Sequence, residues 1–222
     1  MAGTAASAPH GARLVLATHN RKKLVELLAI LRAEPGLDAL PDDAVVTAGD
    51  LEAPEPVEDG VTFAENALIK ARALAAATGL PAVADDSGLS VDVLGGAPGI
   101  FSARWAGRHG DDVANLELLL AQLGDVRDEH RAAAFVCAAA LVTPDGREEV
   151  ALGEMPGVLV RSPRGEGGFG YDPILVPAEQ PAGPDGSPGT RTSAELSPEE
   201  KNAISHRGKA LRSLAPAVAA AL

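Results

Sequence analysis

One cysteine is present among 222 residues. Cys137 can therefore form neither an internal disulfide nor a cysteine-based zinc cluster, and a thiol-reducing compartment suits it. Aromatic residues supply only 3% of the chain, so an aromatic beside a charged motif is more informative than usual. Long apolar runs are missing too. The longest, Ala132 to Val142, falls far short of the roughly 20 residues that span a bilayer. The leading stretch MAGTAASAPHGAR is small and polar with no apolar segment, so no signal peptide and a cytoplasmic location are the expectation. Basic residues are in deficit: 19 Lys and Arg against 31 Asp and Glu leave a net charge of −12. Such a field repels a nucleic-acid backbone or an anionic membrane. A small polyanion held by a few local cations and a metal ion is still compatible with it.

What remains is 46% hydrophobic and 23% charged, the composition of a soluble globular chain. A flexible tail over 1–12 and a single domain over 13–222 are expected. Arg13 to Ala17 reads as a short buried strand. Thr18-His19-Asn20 breaks it, and Leu24, Val25, Leu27, Leu28, Ile30 and Leu31 then recur at helical spacing. A further strand is possible near Ala44–Thr47. Thr62-Phe-Ala-Glu65 is a capping box opening a second helix, which Gly79 stops. Pro81–Ala84 predicts a strand ending at Asp85-Asp86-Ser87-Gly88, with another extended stretch over Leu89–Leu94. A third helix fits Asp112–Leu123. Ala132–Val142 and Glu148–Gly153 flank the turn Thr143-Pro-Asp-Gly146, a hairpin signal. Val158–Val160 and Ile174–Val176 read as short strands around a glycine-rich loop, and 178–191 as a mobile surface loop. Ser197-Pro-Glu-Glu200 caps a last helix. This mixture predicts an α/β domain with a mixed sheet.

Four segments carry candidate chemistry. Thr18-His19-Asn20-Arg21-Lys22-Lys23 leads from strand to helix, and three basic residues in a first turn oppose the helix dipole. An anionic ligand at the helix N-terminus explains them; a cap followed by solvated charges is the plainer account. Asp85 and Asp86 are adjacent carboxylates that repel unless solvated or bridged by a cation such as Mg²⁺, with Glu58 or Asp59 as a further oxygen ligand. A simple turn after a strand is the alternative. Lys70 either reaches a phosphate or snorkels along its helix. Gly165-Glu-Gly167-Gly-Phe169-Gly170-Tyr171-Asp172 contains the dinucleotide fingerprint spacing, but that fingerprint must open a helix, and Tyr171-Asp172-Pro173-Ile-Leu-Val reads as extended. Phe169 and Tyr171 suit either stacking on a flat base or packing into the core. Ser205-His206-Arg207-Gly208 reads as lying within the last helix, where Lys201 and Arg207 can donate to base carbonyls or simply be solvated.

Taken in order, LVLATHNRKKLVEL, EDGVTFAENALIKARALA, LPAVADDSGLSVDVLGGAPGIFSARWAG, GGFGYDPILVP and TSAELSPEEKNAISHRGKAL resemble the inosine triphosphate pyrophosphatase family, of Ham1/RdgB type. The resemblance implies an elongated mixed β-sheet with flanking helices forming two lobes around a central cleft. It implies hydrolysis of non-standard purine nucleoside triphosphates (ITP, dITP, XTP) to monophosphate and pyrophosphate, a Mg²⁺ requirement and a homodimer. Asp86 matches the proton-accepting, metal-binding carboxylate, and Glu58 the other acidic metal ligand. Thr18 to Lys23, Lys70 and Ser87 match substrate contacts. Phe169, Gly170, Tyr171, Asp172, Lys201, His206 and Arg207 match the nucleoside-binding set. Replacing Lys23 or Lys70 is expected to weaken nucleotide binding while leaving stability nearly unchanged, as for surface charges. Three rival readings are a nucleotide-dependent oxidoreductase, a catalytically silent nucleotide-binding regulator and a Maf-type pyrophosphatase.

Overall fold

The computed structural model describes residues 11–19, 21–53, 55–182, 186, 187 and 189–222, with only the backbone of Lys22. The expected N-terminal tail thus lies largely outside the described residues. In chain order the elements are β1 (Leu14–Leu16), α1 (Arg21–Leu31), β2 (Val45–Thr47), α2 (Phe63–Thr78), β3 (Ala82–Val91), α3 (Asp112–Gln122), β4 (Ala132–Val142), β5 (Glu148–Leu159), β6 (Leu175–Pro177), α4 (Pro198–Ile204) and α5 (His206–Ala221). The six strands form one mixed sheet in the order β2-β1-β3-β4-β5-β6. β1 runs parallel to β2 and β3, pairing Val15 with Val46 and with Ala82, whereas β5 and β6 are antiparallel. The expected mixed α/β fold with flanking helices is what forms. No described helix is long and apolar enough to cross a membrane.

Local chemistry explains most boundaries. Thr62 accepts the Glu65 amide as the N-cap of α2, and Gly79 ends it in the left-handed region at φ 69°. Glu65 closes the box one residue early, accepting the Val61 amide at 2.7 Å. Ser197 and Glu200 form the predicted reciprocal box on α4. Arg191 grips Glu200 through both guanidinium branches, and together these bonds hold the Glu200 carboxyl down to about 2.

Four expectations are corrected. β3 does not end at Asp85 but continues through Asp86-Ser87-Gly88 to Val91. Its backbone stays extended because β3 is a strand of the sheet with β4 beside it, where ladder bonds outweigh the turn preference of Asp and Gly. β5 likewise runs unbroken from Glu148 to Leu159, absorbing the separate strand expected at Val158–Val160. The last helix is two helices. Ser205 adopts an extended conformation and its hydroxyl accepts the Gly208 amide, so it caps α5 instead of continuing α4. Tyr171 to Ile174 form turns rather than a strand, with the Ile174 and Leu175 amides both returning to the Tyr171 carbonyl. That segment still opens no helix, so the fingerprint reading fails as expected.

Two compact units divide the chain. The first comprises residues 1–86, 138–153 and 209–222; the second comprises 87–137 and 154–208. In the first, Val15, Ala82, Ala84, Ala138 and Ala140 pack with Ala67, Ala71 and Leu74 of α2. In the second, Leu89, Val91, Phe135, Met155 and Leu159 pack with Leu116 and Leu119 of α3 and with Tyr171. Arg131 is buried there and donates to the carbonyls of Leu123, Leu159 and Val160, tying the end of α3 to β5. Burial, with the nearby Arg161 charge, lowers its pKa. The 178–191 segment is anchored at both ends by Gln180, whose amide group bonds Pro177 and both backbone groups of Arg191.

Tyr171 is 4% exposed and donates its hydroxyl to the Ser102 carbonyl, and burial raises its pKa. An unfolded tyrosine ionises near pH 10, while the folded one keeps its proton. The raised value therefore contributes stability that is present below pH 10 and lost as pH rises beyond it. The melting temperature of the wild-type protein should fall more steeply above pH 10 than that of Tyr171→Phe, and parallel curves would contradict this.

Candidate active site

In the first unit, β1 ends at Leu16 and the chain turns through Thr18, which is buried, into α1. The first turn of α1 contains no acid and begins with Arg21, so its positive dipole end suits an anion. Arg21 donates to Asp50 at 2.8 Å. The Thr47 hydroxyl and amide also bond Asp50, and these bonds lower its pKa. His19 pairs with Glu55 at 3.0 Å. Asn20 and the side chain of Lys22, both expected in this site, lie outside the described residues.

Strand parity sorts the two adjacent aspartates. Ala82 and Ala84 face α2, so alternation turns Asp86 to the same face and Asp85 to the other. Asp85 accepts Lys23 of α1 at 2.8 Å, its carboxylate only 1% exposed against 34% for the lysine. The Asp86 oxygens meet α2 instead: Oδ2 accepts the Asn66 amide at 3.1 Å, and Oδ1 lies 3.6 Å from Lys70 Nζ. Lys70 also donates to Glu58 at 3.1 Å. Asp85 and Asp86 thus meet different partners on opposite faces of one continuous strand.

Glu58 and Asp86 converge on a single ammonium, so the same two carboxylates suit a small hard cation. Mg²⁺ takes one or two carboxylates and completes its shell with water and phosphate oxygens. Among the described residues no three acidic, histidine or cysteine groups form a fuller cage, and a metal held here shares its remaining positions with other oxygens. Thr18, His19, Glu58 and Lys70 line one hollow of this unit.

In the second unit another hollow is lined by Ser87, Asp112, Phe135, Phe169, Tyr171 and Lys201, with Gly170, Asp172 and His206 also at its wall. Phe169 and Tyr171 divide the two roles open to them: Phe169 is 77% exposed, whereas Tyr171 belongs to the core. Asp172 is buried beneath the loop, accepting the Phe169 amide at 2.8 Å and the Lys201 ammonium. Gly168 lets the loop close over it: φ is +77°, and a Cβ there would lie 2.1 Å from Asp172 Oδ2. Lys201 Nζ in turn stands 5.0 Å from the centre of the Phe169 ring. His206 stacks on Phe135 with ring centres 5.2 Å apart. Arg207, the next residue of α5, is half-buried and not among the hollow's walls.

Three residues of this arrangement escaped the sequence reading. Asn66 had a signal, since it lies one helical turn before Lys70 on the same face of α2. Asp112 accepts the Gly170 amide at 2.9 Å across 58 positions, and Phe135 stacks on a residue far along the chain; local pattern carries neither.

Comparison with known proteins gives a consistent result. Residues 14–217 match the Ham1 family. A relative from Streptomyces coelicolor, named a dITP/XTP pyrophosphatase, is 63% identical over 93% of this chain and 96% of its own length. A crystal structure of a nucleoside-triphosphatase / dITP/XTP pyrophosphatase from Mycobacterium abscessus superposes with a TM-score of 0.72 at 50% identity, covering 92% of this chain and 99% of that one. A HAM1 protein structure from Coxiella burnetii gives 0.77 at 40%, covering 93% and 98%.

The Lys23–Asp85 pair changes the expected outcome of mutation. Removing Lys23 takes its ion-pair partner from a buried carboxylate, and breaking such a pair typically costs about 3–5 kcal/mol, less here because the lysine is partly exposed. Lys23→Ala should lower the melting temperature clearly, and Lys23→Ala with Asp85→Asn should recover much of the loss. A Lys23→Ala protein as stable as wild type would contradict the pairing.

Proposed function

Since the chain belongs to the Ham1 family, we propose that it hydrolyses the α–β phosphoanhydride of ITP, dITP and XTP, releasing the nucleoside monophosphate and pyrophosphate. The observation that carries this reading is the convergence of Glu58 and Asp86 on one cation position beside a helix whose first turn is basic. In this reading Glu58 and Asp86 hold Mg²⁺. When bound, the ion neutralises phosphate charge and makes a coordinated water more acidic.

The chain's own groups do the rest. Lys70 moves its charge from the two carboxylates onto phosphate oxygens, and Arg21 with the N-terminal amides of α1 binds the other phosphates. Asp86 orients the attacking water and takes its proton. As the water oxygen bonds to phosphorus, the bridging bond breaks and pyrophosphate leaves with that bond's electron pair. In the second unit the exposed Phe169 ring offers a stacking face. Lys201, held by Asp172, donates to the 6-oxo group of hypoxanthine or xanthine. Adenine has no such acceptor, and a site built for one can reject the analogue lacking it by about 10⁴. A homodimer is proposed with this reading on the resemblance alone, and light scattering at twice the chain mass is the expected result.

Pyrophosphate release from ITP, XTP, GTP, dTTP, UTP and ATP in the presence of Mg²⁺ tests the proposal. Turnover should be far faster on ITP and XTP than on ATP; comparable efficiency on ATP and ITP would overturn it. Asp86→Asn should fold and lose at least about 10²-fold in kcat. Near-wild-type turnover by the folded variant would move the catalytic role elsewhere.

A further inference from the structure

Asn66 is 2% exposed, one of few polar side chains inside the first unit. Nothing in the stability of α2 calls for an amide there: asparagine is a mediocre helix former, and an apolar residue would suit the neighbouring Ala67 and Ala71. Its Nδ2 donates to Asp86 Oδ2, while its Oδ1 is buried and takes no hydrogen bond from the described residues. One half of the amide is therefore used at the expense of the other, and that cost falls on the residue touching Asp86. Rotating the amide by half a turn would bring Oδ1 against a carboxylate oxygen, so its orientation is fixed electrostatically.

The bare Cα of Gly60 leaves the amide room in that orientation. A Cβ at Gly60 would lie 2.7 Å from both Asn66 Oδ1 and Glu65 Cβ. The Glu58-Asp59-Gly60 turn thus supplies one carboxylate of the site and also packs against the amide that bonds the other. Asn66 and Lys70, one turn apart, both meet the Asp86 carboxylate, Asn66 on Oδ2 and Lys70 beside Oδ1.

We propose that Asn66 is a positioning residue for Asp86: it engages Oδ2 and holds the carboxylate plane, so that Oδ1 alone is presented to cation and water. This rests on the catalytic reading of Asp86 given above. Loss of a hydrogen bond behind a catalytic or metal-binding group typically costs about 10–100-fold in activity.

The test compares Asn66→Ala with Asn66→Leu, which keeps the volume but removes the donor. Both should lower kcat on dITP by about 10–100-fold with KM within threefold of wild type. In a crystal structure of ligand-free Asn66→Leu, the Asp86 carboxylate should be turned from its present plane. If Asn66 only filled space, Asn66→Leu would restore kcat relative to Asn66→Ala; that result, or an unmoved Asp86 carboxylate, overturns the proposal. Should neither variant fold, Gly60→Ala carries the test, since it removes no polar group and presses on the amide. It should lower kcat with KM preserved, and unchanged kcat overturns the proposal. Asp86→Asn is measured alongside. If it stays active, the catalytic reading fails. If it is inactive while both Asn66 variants match wild type, only the positioning role fails.

Discussion

Two consecutive carboxylates carried along one buried strand are the constraint on which the first unit's site depends. A strand points alternate residues to opposite faces, so Asp85 and Asp86 cannot share an environment. Each has its own helix. Asp85 is buried and answered by the partly exposed Lys23 of α1, whereas Asp86 faces α2 and is met by Asn66 and Lys70. One carboxylate is thereby committed to holding a helix against the sheet, and the other stays partly open, beside Glu58 and a cation. The proposed chemistry and the scaffold are separated by a single residue step.

The second unit uses a buried acid differently. Asp172 binds a loop amide and an ammonium at once, so the exposed Phe169 ring and the Lys201 charge are placed by the same carboxylate. Asp112 anchors the next amide of that loop, and Tyr171 roots it in the core through Ser102. A glycine-rich loop, which entropy alone would leave loose, is thus secured on three sides. The base-recognition role proposed for it needs such order, because stacking and hydrogen bonding to a flat ring both lose strength rapidly with misplacement.

Much of this was legible in the chain. The strand, polar break and helix of residues 13–31, the Thr62 cap, the hairpin at Thr143–Gly146 and the capping box at Ser197 all have local causes, and all form. Asp-Asp-Ser-Gly read as a turn because those residues favour turns; the sheet neighbours that keep it extended are far away in sequence. Ser205 read as mid-helix because the flanking residues suit a helix, while its hydroxyl caps a new one. The charged residues of the site were visible from their types. The amide of Asn66 showed only through its spacing from Lys70, since a neutral residue in a helix gives no electrostatic signal until the carboxylate it faces is known.

A crystal structure with Mg²⁺ and a dITP analogue carrying a nitrogen in place of the α–β bridging oxygen tests the separation of the two aspartates most directly. The account predicts the ion about 2.1 Å from an oxygen of Asp86 or Glu58, with Asp85 still paired to Lys23. An ion bound to Asp85, with Lys23 released, would contradict it.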